Sequence, residues 1–272
     1  MPLTNPYKMG TARWQTGAME LRRSRTVVPV IELVPEAAST NDVLVGRAAE
    51  LPDLAVVVTE NQTGGRGRLG RVWVSPPGRS LAISVLVKPE GLPLESFGWF
   101  PLLAGLAMCR AVSGFVPGDV SVKWPNDVLI DGAKVSGILT ELLPDRSGIV
   151  IGAGLNVALT AEELPTDTST SLALAGAGDE PDRDAVLASY LIQLTTLYRE
   201  FLTAGGDPLA SALRNEVLEA CHTVGRPVRV ELPGAEPLLG TAVGIDETGR
   251  LLVSSDAGVT AVAAGDVTHL RY

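Results

Sequence analysis

Three short β-strands are predicted within one stretch of the chain, VSVKWPNDVLIDGAKVSGILTELL, residues 120–143. Pro125 forces Trp124 into an extended conformation and cannot sit inside a central ladder, so the first strand ends there in a turn. Asn126 and Asp127 project from that turn, and apolar strand residues resume after it. We therefore predict a β-hairpin at this point.

Strands and helices alternate on both sides of this hairpin. Apolar and β-branched runs predict strands, and good N-cap residues before apolar positions predict helices. Strands are predicted at 27–34, 54–59, 72–74, 81–87 and 149–157, and helices from Ser39–Asp42 onward, over 94–112, from Asp182 or Asp184 to Phe201, and from Asp207-Pro208 to Ala220. This mixture predicts an α+β fold, with helices packed on a mixed β-sheet.

The composition changes at Gly225, where short strands separated by turns replace the helices. About ten residues per strand and turn is typical of a small barrel. These strands are predicted at 227–232, 238–245, 250–255 and 259–270. We therefore predict three parts: an irregular N-terminal arm (1–26), a large domain (27–222) and a small C-terminal barrel (223–272).

Composition excludes several classes of protein. The 272 residues include 22 Lys and Arg against 31 Asp and Glu, a formal charge of −9, which argues against a protein that coats nucleic acid. Two cysteines are too few for a disulfide framework, and they form no zinc-ligand spacing with the two histidines. The sequence shows no signal peptide and no uninterrupted apolar stretch of membrane-spanning length. We expect a soluble, cytoplasmic protein without a membrane partner.

A loop rich in glycine and arginine carries most of the local positive charge. Residues 64–71 read GGRGRLGR, and the window 61–80 holds four arginines and no acid, so it is +4 in a chain whose remainder is −13. Glycines let backbone N–H groups approach an anion, and arginines add donors that stay charged. The loop indicates a compact anionic ligand, although a flexible surface loop with solvated arginines explains it equally well when it is taken alone.

Well-known sequence motifs for phosphate binding and catalysis do not fit residues 64–71 and the segments around them. Gly65, Gly67 and Gly70 match the dinucleotide fingerprint, but a strand and a Pro-Pro turn follow where that fingerprint needs a helix. A kinase would also need His-Arg-Asp and Asp-Phe-Gly segments, which the sequence lacks. A P-loop and a Gly-x-Ser-x-Gly elbow are absent as well. The chemistry therefore rests on positioning and positive charge, without a covalent nucleophile.

Two further segments are candidates for ligand contact. Two of the four lysines, Lys123 and Lys134, lie within twelve residues around the hairpin, where Asp127 could hold Mg²⁺ and Asn126 could orient a phosphate oxygen. The segment 152–156, GAGLN, has the small residues that mark a close approach to a strand. The alternative for the hairpin is that Asn126 and Asp127 are ordinary turn residues and the lysines are solvated. The alternative for 152–156 is that its small residues serve structural packing alone.

Together the motifs resemble those of the biotin protein ligases. The resemblance covers the chain from about Val27 to its end, in five ordered segments with preserved spacing. They are Ser39-Thr40-Asn41, the segment from Gln62 through Gly65-Arg66-Gly67-Arg68 to Arg71 and Trp73, Lys123-Trp-Pro-Asn126-Asp127, Lys134-Val-Ser-Gly137, and Gly152-Ala-Gly154-Leu-Asn156. The resemblance implies a catalytic domain like that of class II aminoacyl-tRNA synthetases and biotin/lipoate ligases, followed by an SH3-like barrel.

Two departures from the family pattern stand out. Leu69 occupies a position that is often Arg or His in the family, which puts a polar role for that side chain in doubt. Some members carry an N-terminal helix-turn-helix domain and act as repressors, and about 26 residues before the first predicted strand are too few for that domain. We therefore expect a ligase that does not bind DNA.

The resemblance also implies a reaction and its participants. Biotin and ATP form biotinyl-5′-AMP and pyrophosphate, with Mg²⁺, and the biotinyl group passes to a lysine of a biotin carboxyl carrier protein domain of an acyl-CoA carboxylase. Lys134 and Arg68 are the implied catalytic residues, and Asp127 is the implied metal ligand. The implied substrate-binding residues are Ser39, Thr40, Asn41, Gln62, Gly65, Arg66, Gly67, Arg68, Arg71, Trp73, Lys123, Asn126, Asp127, Lys134, Gly137, Gly152, Gly154 and Asn156.

Individual roles follow from the chemistry of the ligand. Ser39, Thr40 and Gln62 are expected at the polar ureido head of biotin, Trp73 at its apolar tail, and Gly137 and Gly154 where its rings need space. The remaining implied roles are Lys134 at the biotin carboxylate and α-phosphate, Arg66 and Arg68 at the adenylate linkage, Arg71 at pyrophosphate, Asn126 and Asp127 at Mg²⁺ and phosphates, and Asn156 at the nucleotide. We further expect residues 64–71 to be disordered without ligand and to fold over the adenylate, because glycines make ordering costly.

Two alternatives remain at this point. A lipoate–protein ligase shares the chemistry with another acyl group, and the Lys-Trp-Pro-Asn-Asp segment favours biotin over it. A non-enzymatic RNA-binding module is the alternative from another class. Its three loop arginines would give few phosphate contacts and a steep salt dependence.

Overall fold

The structure is a computed structural model and describes residues 19–73, 75–231, 236–263 and 266–269. The strands before residue 160 are β1 (Val30–Leu33), β2 (Ala55–Thr59), β3 (Gly65–Arg66), β4 (Val72–Trp73), β5 (Ser80–Val87), β6 (Val120–Lys123), β7 (Asp127–Ile130), β8 (Ala133–Leu142) and β9 (Ile149–Asn156). The helices are α1 (Thr40–Arg47), α2 (Phe100–Ser113), α3 (Arg183–Thr203) and α4 (Leu213–Ala220). Single 3-10 turns span Ser24–Thr26, Arg68–Gly70, Leu94–Trp99 and Ala161–Glu163, and a π turn spans Ala173–Ala177.

Seven of these strands form one mixed sheet in the order β1-β2-β5-β9-β8-β7-β6. β1 lies parallel to β2, and the other neighbours pair antiparallel. The two central strands β5 and β9 pair along their full length, from Ser80 opposite Asn156 to Val87 opposite Ile149. The predicted hairpin at 120–130 is present as β6 and β7.

The two faces of this sheet have different partners. On what we call the core face, Ile83 and Val85 of β5 and Ile151 and Ala153 of β9 belong to the main hydrophobic core, which also contains α2 and α3. The opposite face, here the site face, carries Ala82 and Ser84 of β5 and Gly152 and Gly154 of β9, because alternate residues of a strand point to opposite sides. At one end of the site face, α1 packs over a smaller apolar cluster of Leu44, Ala48, Ala55, Val57, Leu86, Leu143 and Val150.

The helix α2 is the most apolar element of the core. Together with the preceding 3-10 turn, Leu94–Ser113 is long and apolar enough to cross a membrane by length and composition. However, 72% of its most apolar window is buried inside the protein. Pro101 lies in the first turn of α2, where its missing N–H has no helical partner to lose. The segment therefore packs as a core helix.

The C-terminal unit is a five-stranded antiparallel sheet in the order β13-β12-β11-β10-β14. Its strands are β10 (Pro227–Glu231), β11 (Leu238–Ile245), β12 (Leu251–Ser255), β13 (Gly258–Val262) and β14 (Asp266–His269). The predicted fold class, a mixed sheet with helices followed by a small all-β unit, is confirmed. The single strand predicted at 259–270 is wrong, because the chain pairs there first with β12 and then with β10.

Two tryptophans connect the two units. Trp99 donates its indole N–H to the carbonyl of Glu247 (2.8 Å), and Trp124 donates to the carbonyl of Gly249 (3.0 Å). Both side chains are fully buried. The turn 247–249 is shaped by Asp246, whose carboxylate accepts from the N–H groups of Thr248 and Arg250 at 2.9 Å each.

Helix boundaries show where the local signals decide the structure. Ser39 and Asp182 cap α1 and α3 as predicted, each accepting from a backbone N–H three residues on. The predicted start of the fourth helix at Asp207-Pro208 is wrong. Asp207 caps a separate turn, and α4 begins only after Ala212, which adopts a left-handed conformation (φ 62°).

The N-terminal region is more ordered than predicted where the structure describes it. Residues 1–18 of the predicted irregular arm lie outside the described residues. Leu21 and Ser24 are buried, and the carboxylate of Asp184 on α3 accepts from the backbone N–H of Arg23 (2.7 Å). The first strand begins at Val30 instead of residue 27, because the Ser24–Thr26 turn precedes it.

Candidate active site

Glycines on the site face allow other side chains to lie directly on the sheet. Gly137 of β8 pairs with Gly154 of β9, which pairs with Ala82 of β5. A Cβ atom at Gly154 would collide with the indole of Trp73, and one at Gly137 would lie 3.2 Å from the same ring. A Cβ atom at Gly152 would collide with the amide of Asn41. The close approach predicted for the 152–156 segment is therefore present, and its partners are side chains from α1 and β4.

Trp73 reaches the site face from the short strand β4. Its indole covers Gly137 and Gly154, the two positions expected to leave room for rings. The ammonium of Lys134 lies 5.7 Å from its ring centroid, within cation–π range. Its indole N–H is buried and has no hydrogen-bond partner among the described residues. An apolar surface with one unsatisfied donor therefore borders the lysine.

Lys134 and Asp127 form an ion pair, with 2.6 Å between Nζ and Oδ1. Asp127 begins β7 opposite Gly137, and Lys134 lies three residues earlier on β8, beyond a register shift that interrupts the alternation of faces between these two strands. The backbone of Lys134 is held from its other side by residues 168 and 170, through hydrogen bonds of 2.8 Å. The structure thus places the Lys134 ammonium at the edge of the glycine-lined area.

The turn between β6 and β7 holds its residues in different ways. Asn126 donates its amide to the carbonyl of Ile138 (2.7 Å) and accepts from the guanidinium of Arg68 (3.2 Å). Lys123 ends β6, where it pairs with Asp127 across the hairpin. Trp124, by contrast, is buried against the C-terminal unit. Within this motif the tryptophan is structural, and Asn126 contacts the Gly-Arg loop through Arg68.

The Gly-Arg loop forms a small hairpin. β3 and β4 pair through Gly65–Trp73 and Arg66–Val72, and the 3-10 turn Arg68–Gly70 joins them. The N–H of Gly67 donates to the carbonyl of Arg71 (2.7 Å). A ladder of two residue pairs has little stability of its own. The expectation that ligand orders this loop stays a prediction, and the side chain of Leu69 lies outside the described residues.

Arg66 is held by two carboxylates. It donates to both oxygens of Asp42 (2.6 and 2.7 Å) and lies 3.2 Å from an oxygen of Glu141. The hydrogen bonds with Asp42 raise the pKa of Arg66 and lower the pKa of Asp42. This arrangement ties the loop to α1 and β8, beside the predicted Ser-Thr-Asn element.

That element lies at the N-terminus of α1. Ser39 is the N-cap, and Thr40 and Asn41 are buried. Gln62 accepts from the backbone N–H of Thr40 (3.0 Å), and its Oε1 lies 3.2 Å from Thr40 Oγ1. The predicted head-group residues Ser39, Thr40 and Gln62 are therefore neighbours in space, although 22 residues separate the last two.

Asn156 lies at the far end of β9. Its amide donates to the carbonyl of Thr170 (2.9 Å), and the side chain is buried. It therefore braces the segment that also holds the backbone of Lys134.

Sequence reasoning missed three residues of the site. Ser84 and Glu141 both contact Asn41, and Asp42 pairs with Arg66. A serine in the middle of the mostly apolar strand SLAISVLV was the available signal for Ser84. The partner of each depends on the register between distant strands, which local patterns do not contain.

The donor set for a metal is small. Among the residues that the structure describes, no three His, Cys, Asp or Glu side chains lie close enough to hold an ion. Asp127 and Asn126 offer a carboxylate and an amide oxygen, and each already contacts a cation. This set fits Mg²⁺ that is shared with phosphate groups, which often supply most of its ligands.

Comparison with known protein families gives two matches. Residues 34–156 match the biotin/lipoate A/B protein ligase family, and residues 223–270 match the biotin protein ligase C-terminal domain. The first match contains every predicted site residue.

Curated proteins with similar sequences include ligases from several bacteria. A biotin–[acetyl-CoA-carboxylase] ligase of Mycobacterium tuberculosis is 37% identical over 89% of this chain and 89% of its own length. The bifunctional ligase/repressor BirA of Escherichia coli is 32% identical over 98% of this chain and 80% of its own length.

Solved structures of similar shape include ligand complexes. The biotin protein ligase of Aquifex aeolicus in complex with biotin and ATP has a TM-score of 0.74 and 27% identity, and covers 90% of this chain and 100% of its own. The Leishmania major biotin protein ligase in complex with biotinyl-5-AMP has a TM-score of 0.56 and 26% identity, and covers 90% of this chain and 99% of its own.

Proposed function

This chain belongs to the biotin protein ligase family, and from that premise we propose how its site performs the reaction of a biotin–[acetyl-CoA-carboxylase] ligase. Biotin is activated with ATP to biotinyl-5′-AMP, and the biotinyl group is then transferred to a lysine of a carrier protein. The observation that carries the proposal is the ion-paired Lys134 at the edge of an area lined by glycines and Trp73.

The polar head of biotin is assigned to the N-terminus of α1. Ser39, Thr40 and Gln62 lie together there and offer hydroxyl and amide groups to the ureido ring. The apolar rings and tail are assigned to the surface of Trp73, whose indole lies over Gly137 and Gly154 beside the Asn41 amide on Gly152. A mostly apolar pocket with a few polar groups at one end is typical of a small-molecule site.

The first chemical step is attack of the biotin carboxylate on the α-phosphorus of ATP. A new oxygen–phosphorus bond forms, the bond to the β-phosphate oxygen breaks, and pyrophosphate leaves. Negative charge concentrates on the carboxylate and phosphate oxygens, so fixed cations lower the barrier. We assign Lys134 and Arg68 to this position, Arg66 to the adenylate, Arg71 to pyrophosphate and Asn156 to the nucleotide.

The remaining loop and hairpin residues complete the nucleotide site. Gly65 and Gly67 bring backbone N–H groups close to phosphate, and Lys123 adds positive charge at the end of β6. Mg²⁺ supplies charge neutralisation of the phosphates when it is bound, and Asp127 and Asn126 are the residues that would hold it. This proposal rests on the type of oxygen donors present and on their proximity to Lys134 and Arg68.

In the second step the carrier lysine, as a neutral amine, attacks the biotinyl carbonyl. An amide bond forms, the amine loses a proton, and AMP leaves with the electrons of the broken anhydride bond. We propose the biotin carboxyl carrier protein domain of an acyl-CoA carboxylase as acceptor, as the name of the Mycobacterium tuberculosis relative indicates. We also propose a cytoplasmic location, in keeping with the free, buried Cys109 and Cys221.

Pyrophosphate release tests the proposed function directly. We expect release that depends on biotin and ATP, is absent with lipoate in place of biotin, and needs no RNA. Release with lipoate instead of biotin would favour the lipoate–protein ligase. No release with either acid, together with salt-sensitive RNA binding, would overturn the enzymatic function.

A further inference from the structure

Arg183 is a mostly buried cation that lies outside the motifs of the candidate site. It is the first residue of α3, directly after the N-cap Asp182, and its side chain is 18% exposed. It also lies outside both family matches, 34–156 and 223–270. A buried guanidinium needs partners that offset its desolvation, so the groups that it contacts show what it holds in place.

These partners lie at the two ends of one long segment. Strands β2 and β5 are neighbours in the main sheet, and the chain between them, residues 60–79, contains the whole Gly-Arg loop. We call these residues the β2–β5 segment. Arg183 Nη2 donates to the carbonyl of Gly78 (2.7 Å), and its Nε lies 3.0 Å from Glu60 Oε1, an ion pair without a well-directed hydrogen bond.

The two ends of the β2–β5 segment also meet through the backbone. The N–H of Gly78 donates to the carbonyl of Glu60 (2.8 Å). Gly78 has φ 75°, a conformation that a residue with a side chain rarely adopts. The remaining partner of Arg183 is Glu180, which is 67% exposed and does not belong to the segment. One backbone hydrogen bond and one guanidinium therefore hold the two ends of the segment together.

The two limbs of the segment carry residues that we assign to different parts of the ligand. Gln62 lies on the outgoing limb, which is also held by backbone hydrogen bonds to residues 37–38. Trp73 lies on the returning limb, five residues before Gly78. Because Arg183 binds the carbonyl at the end of the returning limb, it contributes directly to the placement of the limb that carries the indole.

We propose that Arg183 is a positioning residue that holds the ends of the β2–β5 segment together, so that the segment stays closed over biotinyl-5′-AMP until the carrier lysine attacks. The inference rests on the proposed function, in which the Gly-Arg loop contacts the adenylate. Ordering a long segment has an entropic cost, and fixing both of its ends lowers the cost of ordering the residues between them. Without Arg183 the closed arrangement forms less often, and the adenylate leaves sooner.

The test measures how fast biotinyl-5′-AMP leaves the full-length protein when no carrier protein is present. In Arg183→Met, which keeps the apolar stem and removes the guanidinium, we expect release to be about tenfold faster or more, the range for loss of one hydrogen bond to a charged group. Trypsin should also cleave after Arg66 and Arg68 in the adenylate-bound variant, whereas the bound wild type is protected. A role in stability alone would lower the Tm and leave the release rate unchanged.

Arg23→Met is the matched control. Arg23 pairs with Asp182, the residue directly before Arg183, so the variant also removes an ion pair at the N-terminus of α3. This ion pair does not involve the β2–β5 segment, and we expect the wild-type release rate. Equal release rates in Arg183→Met and Arg23→Met would overturn the proposal.

Arg183→Lys and Glu60→Gln cover the case in which Arg183→Met does not fold. A lysine keeps the charge but lacks the fixed fork with which a guanidinium contacts Glu60 and Gly78 together. Glu60→Gln removes the charge from the other side of the ion pair. We expect faster release in both variants, by a smaller factor than in Arg183→Met, and wild-type release in both would contradict the proposal.

The proposed function and this inference fail in different ways. Wild-type protein without biotin-dependent pyrophosphate release would refute the proposed function itself. Biotin-dependent pyrophosphate release by the wild type, together with unchanged adenylate release in the Arg183 and Glu60 variants, would refute only the role of Arg183.

Discussion

Three cations of the candidate site, Lys134, Arg66 and Arg68, are each held by a group of opposite polarity before any nucleotide contacts them. Lys134 pairs with Asp127, Arg66 with Asp42 and Glu141, and Arg68 with the amide oxygen of Asn126. Such pairs fix the positions of long side chains, which would otherwise lose entropy when a ligand binds. They also weaken phosphate binding, because a phosphate group must compete with the carboxylates for the same cations.

Lys134→Ala should abolish most of the first step. The variant loses the charge at the position where the carboxylate meets the α-phosphate, and we expect a fall in adenylate formation of about 100- to 1,000-fold, the range seen when one stabilising donor is removed. Single-turnover formation of biotinyl-5′-AMP measures it. Lys88→Ala removes a lysine outside the site, whose ammonium donates to the carbonyl of Leu51. It should stay close to wild type, and near-normal activity of Lys134→Ala would remove that residue from its assigned role.

At the level of elements, side chains from other segments pack directly against the backbone of strand β9. The amide of Asn41 packs against Gly152, and the indole of Trp73 packs against Gly154. The same strand has Ile151, Ala153 and Leu155 on the core face. One face of β9 thus packs in the core, and glycines on the other face leave space for the side chains that we assign to the ligand.

Gly154→Ala should displace Trp73 without unfolding the sheet. The added methyl group occupies space held by the indole, and overpacking of this kind costs about 1–3 kcal/mol. We expect KM for biotin to rise about tenfold or more on that basis, while the protein stays folded with a Tm that is lower by a few degrees. The control is Gly244→Ala in β11, where the nearest atom to the new methyl group lies at 3.8 Å, an ordinary contact. Unchanged biotin KM in Gly154→Ala would contradict the assignment of Trp73 to the biotin wall.

Elements were predictable from the sequence where one local interaction decides them. The caps at Ser39 and Asp182 and the hairpin around Asn126 are of this kind. The start of α4 was not, because Asp207 caps a turn just as well as a helix. In the site, the sequence places Asp127 and Lys134 around one hairpin, but it does not predict that the two side chains form an ion pair. The contact of Ser84 with Asn41 was not predictable either, since it depends on how α1 packs across β5.

For the molecule as a whole, the turn 247–249 is where the C-terminal sheet meets the larger domain. Two buried indoles donate to this turn, and Asp246 holds its shape with both carboxylate oxygens. Burial alone would raise the pKa of Asp246, but hydrogen bonds from Arg250 and Thr248 outweigh it and lower the pKa below its usual value. The ionised form therefore stabilises the folded protein.

Asp246→Asn should destabilise the protein in a pH-dependent manner. Because the folded-state pKa is lowered, the stabilisation is fully present above the ordinary aspartate pKa of about 4 and is lost as pH falls below it. We expect a loss of about 1–3 kcal/mol in the free energy of unfolding at pH 7, which shrinks towards acid pH. Denaturant titrations at several pH values measure it. Asp256→Asn, on an exposed turn, should change stability by less than about 0.5 kcal/mol, and a pH-independent loss in Asp246→Asn would contradict the assignment.

The division of the main sheet into a core face and a site face has a practical consequence for redesign. Neighbouring residues of one strand have different roles. Ser84 contacts Asn41 on the site face, whereas Val85 packs in the hydrophobic core. A library that varies only positions 82, 84, 152 and 154 on the site face of β5 and β9 would therefore explore new acyl substrates while the core residues stay unchanged. Because side chains alternate between the two faces of a strand, the residues that determine the substrate and the residues that determine stability can be substituted almost independently.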